Sequence, residues 1–413
     1  MSSCSSYSDI TNIISDGYDP MLSEGSLTTP IFRTSTFCFK DCKSGKRAFE
    51  LAYGLDKPSK NESSQLIYTR VNNPNMEILE DKMRYLDDTE ACLIFSSGMA
   101  AITNSLLAVL DIGDTLVYSS PVYGGTHYLL NHILPKYGIH VHSFPAGCDE
   151  TTFSNFVKDR QENKENIKVI YIETPCNPLL TITSLKMIDH VRNNECNNAL
   201  IFVDNTITGP EFLKPNQFGT DLILYSVTKF IGGHSDLIAG LASGKKKVID
   251  KIKVYRTVFG STPDPNTCWL IQRSLPTISL RMQTQQTNCK MVYDFLKNHP
   301  KIKKLYYPGV NNDSQRRILE EEYQGQGSIL SFDIDGGEKE SFQFLDNLKV
   351  LKLAVSLGSV ESLAQHPSSM THSDLSVKDK EECGIHDSLI RISIGLENIE
   401  DILNDLKCAL DKI

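Results

Sequence analysis

No run of eighteen or more apolar residues occurs in this chain of 413 residues, so no segment is expected to cross a bilayer as a helix. A surplus of positive charge is missing too. The chain carries 42 Lys and Arg against 51 Asp and Glu, a formal net charge of −9. Proteins that bind nucleic acid present a basic face to the phosphates, so nucleic acid is excluded as an expected partner. The eleven cysteines are an odd number, spread singly from Cys4 to Cys408 without a CxxC pair, the pattern of free thiols in a reducing compartment. Cys38 and Cys42 lie closest together but lack the two further nearby ligands that zinc requires, so no metal is expected. The opening residues, Met1 to Ser6, lack the basic-then-apolar order of a signal peptide. A cytoplasmic protein is expected.

What is present is ordinary globular composition, 40% hydrophobic and 23% charged, in a chain long enough for two or three domains. Residues 1–72 are rich in Ser, Thr, Pro and Gly and read as an extended arm, with a polar surface loop around 56–64. Over 73–272, short apolar runs alternate with amphipathic stretches. The runs are Cys92–Phe95, Thr115–Tyr118, Val169–Ile172, Leu200–Val203 and Leu222–Tyr225. Continuous apolar runs of this length predict a mostly parallel sheet with helices on both faces, an α/β domain. Helices are expected over Met99–Leu110 and Leu185–Arg192. From 273 to 413 the pattern becomes a smaller α+β domain. It has helices over Met282–His299 and Ile399–Leu410, and alternating, half-buried strands at Ser328–Ile334 and Leu389–Ile394.

Polar residues gather directly after the apolar runs, where open α/β sheets bind their ligands. The clusters are Ser96-Ser97-Gly98-Met99, Pro121-Val122-Tyr123-Gly124-Gly125, Glu173-Thr174-Pro175-Cys176-Asn177-Pro178, Asp204-Asn205-Thr206 and Ser226-Val227-Thr228-Lys229. Ser97-Gly98-Met99 offers close backbone approach and free helix N–H groups to a phosphate, or else makes a plain strand-to-helix turn. Gly240 to Lys245 is one residue short of a P-loop. Asp204 ends an apolar strand, where a buried carboxylate needs a partner. A protonated pyridine nitrogen is one such partner, and the start of the next helix is another. Lys229 suits an imine-forming amine if desolvated, with room left by Gly232-Gly233, but a lone lysine is also an ordinary surface residue.

Taken together, these stretches resemble the fold-type I pyridoxal-phosphate enzymes of cysteine and methionine metabolism, the trans-sulfuration enzymes. The resemblance runs from about Ser26 to the C-terminus. It rests also on Tyr68-Thr69-Arg70 with Asn73-Pro74, on Ser356-Leu357-Gly358 and on Arg391-Ile392-Ser393-Ile394-Gly395. It implies pyridoxal 5′-phosphate as cofactor, with Lys229 as the imine-forming lysine and Asp204 as partner of the pyridinium nitrogen. Tyr123 is implied to stack on the cofactor and protonate the departing thiolate. Gly98, Met99, Ser226 and Thr228 resemble the phosphate-binding set of one subunit, and Tyr68 and Arg70 the pair that arrives from a neighbour. A dimer, usually a dimer of dimers, follows from that pair. Asn177 and Arg391 resemble the holders of the cofactor's hydroxyl side and the substrate carboxylate, with Ser356 beside them.

Within the family, Val355 stands where cystathionine-using relatives commonly carry glutamate. An apolar residue there suits a methylthio group, unless Val355 merely packs in the core. Gln365-His366-Pro367 with Met370-Thr371-His372-Ser373 also looks most like methionine γ-lyase. The expected reaction is α,γ-elimination on a small sulfur amino acid. Cystathionine γ-lyase, and the γ-replacement enzymes cystathionine γ-synthase and O-acetylhomoserine sulfhydrylase, stand as alternatives. Gly125, where methionine γ-lyases have cysteine, and the stretch Phe259–Met282 depart from that pattern.

Overall fold

The structure, a computed structural model, describes residues 8–59, 62, 65–310, 312–373 and 376–413. The reading of Met1 to Ser6, and positions 60, 61, 63 and 64 of the polar loop, lie outside the described residues. Seven strands form the larger sheet: β1 (Ala91–Phe95), β2 (Asp114–Ser120), β3 (His140–Pro145), β4 (Asn166–Glu173), β5 (Leu200–Asp204), β6 (Leu222–Ser226) and β7 (Gly240–Gly244). Their order is β1-β7-β6-β5-β4-β2-β3, with β7 antiparallel to both neighbours and the strands from β6 to β3 mutually parallel. Successive side chains leave a strand on opposite faces. Ile94, Ile223, Tyr225 and Leu241 therefore enter one core with the helices Pro74–Asp87 and Pro265–Ser274. Leu93, Phe95, Leu222, Leu224 and Ala242 enter another with Gly98–Leu107 and Lys246–Phe259. Burial on both faces is why these strands read as unbroken apolar runs.

The five apolar runs are β1, β2, β4, β5 and β6; β3 and β7 carried no such signal. The expected helices stand at Gly98–Leu107, Leu185–Glu195, Ile278–Leu296 and Ile399–Leu410. The third begins four residues before Met282, straight out of a turn at Leu275–Thr277. The lead-in also contains two helices that its composition did not forecast, Asp9–Ser15 and Cys42–Ala52. Ile13 of the first is buried in the core beside Met83.

The smaller sheet has the order β10 (Lys352–Leu353), β11 (Leu363–Gln365), β12 (Leu389–Ser393), β9 (Ile329–Ile334), β8 (Ile302–Tyr306). The strands β9 and β12 were expected to be half-buried, and both are buried at every position. One face of β9 presents Leu330, Phe332 and Ile334 to a core shared with the helices Ile278–Leu296 and Ile399–Leu410. Its other face meets the larger unit: Ser331 donates to the carbonyl of Pro178 at 2.6 Å. Alternation here separates two packed faces rather than core from solvent. Among the described residues, no helix is long and apolar enough to cross a membrane, and no cysteine is in a disulfide.

Candidate active site

A cavity of about 460 Å³ opens beyond the carboxyl ends of β1, β4, β5 and β6, and segments of the smaller sheet unit close its far side. At β1 the chain turns through Ser97, whose hydroxyl accepts from Ala100 N at 3.0 Å and starts the helix. Gly98 permits a close approach here, because a Cβ would lie 3.1 Å from Ser226 Cα, tighter than most such contacts. The helix N-terminus can thus stand against the end of β6, with its leading N–H groups at the cavity.

Two carboxylates end adjacent strands as register partners, Glu173 on β4 and Asp204 on β5. Asp204 Oδ1 accepts from Thr206 N at 3.0 Å and Thr206 Oγ1 at 2.6 Å, and Oδ2 from the Tyr171 hydroxyl at 3.3 Å. Burial raises the pKa of Asp204 while these donors oppose the rise. Glu173 is raised too, by burial first and then by the charge of Asp204. Its oxygens accept from Tyr123 N at 2.8 Å and Asn177 N at 3.0 Å. Glu173 therefore holds the backbone of two expected site residues. Sequence reasoning quoted it without a role, although it bears the same mark as Asp204, a carboxylate closing an apolar run. Thr206, which also accepts from Ser226 N at 2.9 Å, was likewise quoted in a cluster without a role, because a threonine after a strand carries no distinctive signal.

Lys229 follows β6 in a tight turn in which Gly233 N donates to its carbonyl at 2.7 Å. Its amine donates to Ser356 Oγ at 2.7 Å. Burial, and then the positive charge of Arg391, bring the lysine down to about 8. The room made by Gly233 serves another group than expected. A Cβ there would lie 1.9 Å from Arg281 Nη1, and Arg281 donates to the carbonyls of Phe230 at 2.8 Å and Ser274 at 3.2 Å. The glycine admits a buried guanidinium that holds the chain just after Lys229.

Arg391 on β12 donates to Asn177 Oδ1 and to the Ser356 carbonyl, each at 2.8 Å. Burial lowers it to about 10, against the pull of Glu173. Ser356, which meets both cations, has φ +96°, an uncommon backbone conformation for a residue with a side chain. Val355 lies on the cavity wall and is 56% exposed, so packing in the core is not its role. Tyr123 also lines the cavity. Gly125 lies under its ring, where a Cβ would stand 2.8 Å from Tyr123 Cε1 and 3.1 Å from Met99 Sδ.

Of the residues expected from sequence, Gly98, Met99, Tyr123, Asn177, Asp204, Ser226, Thr228, Lys229, Val355, Ser356 and Arg391 all line this one cavity. Tyr68 and Arg70 do not. Both are exposed; Arg70 donates to Thr257 O at 2.6 Å, and its guanidinium lies 5.8 Å from the centre of the Tyr68 ring.

The profile of the family described as Cys/Met metabolism PLP-dependent enzyme matches residues 10–411. The chain belongs to that family. It is 38% identical over 394 residues to an L-methionine gamma-lyase of Fusobacterium nucleatum, covering 94% of each protein. It is 36% identical over 393 residues to a cystathionine gamma-lyase of Bacillus subtilis, covering 94% of this chain and 95% of that one. A crystal structure of cystathionine gamma synthase from Xanthomonas oryzae pv. oryzae superposes with a TM-score of 0.89 at 32% identity, covering 99% of both chains. Pyridoxal 5′-phosphate is the family's cofactor, and the cavity suits it. A lysine amine with a depressed pKa, a buried carboxylate whose partners are all neutral, and a glycine-opened helix N-terminus line the same space.

Proposed function

We propose that this protein is a carbon–sulfur lyase that acts on methionine by α,γ-elimination, releasing 2-oxobutanoate, methanethiol and ammonia with one water consumed. When bound, pyridoxal 5′-phosphate supplies an electron sink beside the substrate's amine-bearing carbon. Lys229 is the residue that would hold it covalently, and Asp204 would keep a proton on its ring nitrogen. Ser226, Thr228 and the backbone at Gly98 and Met99 would take the phosphate, joined by Tyr68 and Arg70 of a second copy of the chain. Arg391 reads the substrate carboxylate through its planar fork, in the frame set by Asn177 and Ser356. Lys229, with its depressed pKa, takes the α-proton. The Tyr123 hydroxyl gives a proton to the departing sulfur. This reading makes the working form a dimer within a dimer of dimers, with residues 1–72 as the crossing arm, 73–272 as the cofactor domain and 273–413 as the smaller domain.

The observation that carries the substrate choice is Val355, an apolar side chain on the cavity wall next to the residue whose carbonyl holds Arg391. It offers no partner to the distal ammonium and carboxylate of cystathionine. Leaving such groups poorly solvated costs about 1–3 kcal/mol, or roughly tenfold to a hundredfold in kcat/KM. The runner-up is cystathionine γ-lyase, favoured by the exposure of Val355, which leaves room for a long substrate. Release of 2-oxo acid, measured in parallel from methionine, cystathionine, homocysteine and cysteine, separates the two. Methionine should lead, and Val355→Glu should move preference toward cystathionine. A tenfold preference of the wild type for cystathionine would replace this reading by the runner-up. Turnover of activated homoserine with an added thiol, in the absence of elimination, would replace it by γ-replacement.

A further inference from the structure

Arg391 has a third neighbour that its role as carboxylate reader does not require. Gln365 on β11 is its register partner across the antiparallel ladder to β12. The Gln365 side-chain amide is oriented with its oxygen toward the guanidinium, since the reverse would set N–H against N–H. In that orientation the oxygen accepts from Arg391 Nη1 and Nη2 at 3.2 Å each, and from Thr371 Oγ1 at 3.1 Å. Gln365 is fully buried and Thr371 lines the cavity. The Thr371 carbonyl also lies 2.6 Å from where a Cβ of Gly124 would stand, so its segment packs directly beside Tyr123. The hydrogen-bond partners of Arg391 are thus all neutral: the Asn177 amide, the Ser356 carbonyl and the Gln365 amide. Glu173 first, and Tyr123 after it, favour the charged form over a longer distance.

We propose that Gln365 is a positioning residue for substrate binding: it fixes the Arg391 fork from behind and, being uncharged, leaves the guanidinium's charge to the substrate carboxylate. The inference rests on the reading of Arg391 as carboxylate reader. A carboxylate at 365 would sit against both terminal nitrogens and pair with them permanently, in competition with the substrate. A neutral side chain without an acceptor would free the fork to turn but leave its charge intact. The two substitutions therefore differ in degree, and the difference isolates the electrostatic part from the geometric one.

The test uses the cofactor-loaded protein and glycine, which offers an amine and a carboxylate but no leaving group. Binding is followed by the change in cofactor absorbance for the wild type, Gln365→Glu, Gln365→Met and Arg391→Ala. The Kd for glycine should rise at least about tenfold in Gln365→Glu and only about threefold in Gln365→Met, since charge-assisted hydrogen bonds are roughly twice as strong as neutral ones. With methionine, Gln365→Met should raise KM more than it lowers kcat. Glycine binding within twofold of wild type in Gln365→Glu, together with loss of binding in Arg391→Ala, would overturn the inference and leave the carboxylate reader standing. Equal loss of glycine affinity from both substitutions at 365, with kcat for methionine falling at least as much as KM rises, would also overturn it and leave a structural role. Normal glycine affinity in Arg391→Ala would remove the reading of Arg391, and this inference with it.

Discussion

Lys229, Arg391, Asp204 and Glu173 share one problem, that charge is costly away from water, and each meets it differently. Arg391 spreads its charge over neutral acceptors, whereas the lysine gives up part of its hold on a proton. The sign of that second effect is testable. The lysine falls from an ordinary 10.5 to about 8 in the folded protein, so between those pH values the unfolded chain binds the extra proton. The cofactor-free protein therefore gains stability from this group as pH rises through that window. The neutral amine, the form that captures an aldehyde, should become abundant near pH 8. The rate at which cofactor-free protein takes up pyridoxal 5′-phosphate should climb to about pH 8 and then level. Borohydride reduction and peptide mapping should place the pyridoxyl group on Lys229. A climb continuing toward pH 10.5, or a label on another lysine, would contradict the assignment.

Among the elements, β7 shows why sequence reading stops where it does. Its central residues pair with β1 and β6, yet both its ends are glycine because the backbone comes too close for anything else. A Cβ at Gly240 would stand 2.1 Å from Ser97 O, and one at Gly244 2.3 Å from Asp221 O. The close approach that brings Ser97 to the cavity thus erases the apolar run that would have announced the strand. The edge strand β3 was lost because only Phe144 of its six residues is buried, too little to show either an apolar run or an alternation. The site was legible where a chemically unusual residue ends a strand, as Asp204 does, or closely follows one, as Lys229 does. The parts of Thr206, which donates to Asp204, and of Gln365, which lies against Arg391, were not legible, because ordinary polar side chains carry no such mark. Gly125 belongs to the same scale, because the start of the short helix Gly124–Tyr128 seats the Tyr123 ring against bare backbone. A side chain at 125 would press on Tyr123 Cε1, 2.8 Å from its Cβ, and on Met99 Sδ at 3.1 Å. Gly125→Ala should therefore lower kcat for methionine on the order of tenfold, with a smaller change in KM, through misplacement of the acid. Unchanged kcat would mean that the ring moves without consequence.

At the scale of the whole molecule, Tyr68 and Arg70 lie outside their own chain's cavity, and the family resemblance assigns them to a neighbour's. If they serve a neighbour's site, two inactive proteins should repair each other. Mixing Arg70→Ala with Lys229→Ala under conditions of verified subunit exchange should restore part of the activity, since some hybrid sites keep both residues. No recovery would place these residues in the service of their own chain. Within one chain, the site is stitched by hydrogen bonds between residues far apart in sequence, 127 positions from Lys229 to Ser356 and 214 from Asn177 to Arg391. Synthesis runs from the N-terminus, at about 5–20 residues per second. The Lys229 amine is therefore made several seconds before Ser356 and Arg391, which stand beside it in the folded chain. During that interval the amine lacks both Ser356, its hydrogen-bond partner, and Arg391, one of the two causes of its lowered proton affinity. On the proposed role of Lys229, the surroundings that suit it to an aldehyde are thus complete only after residues of both sheet units have been made.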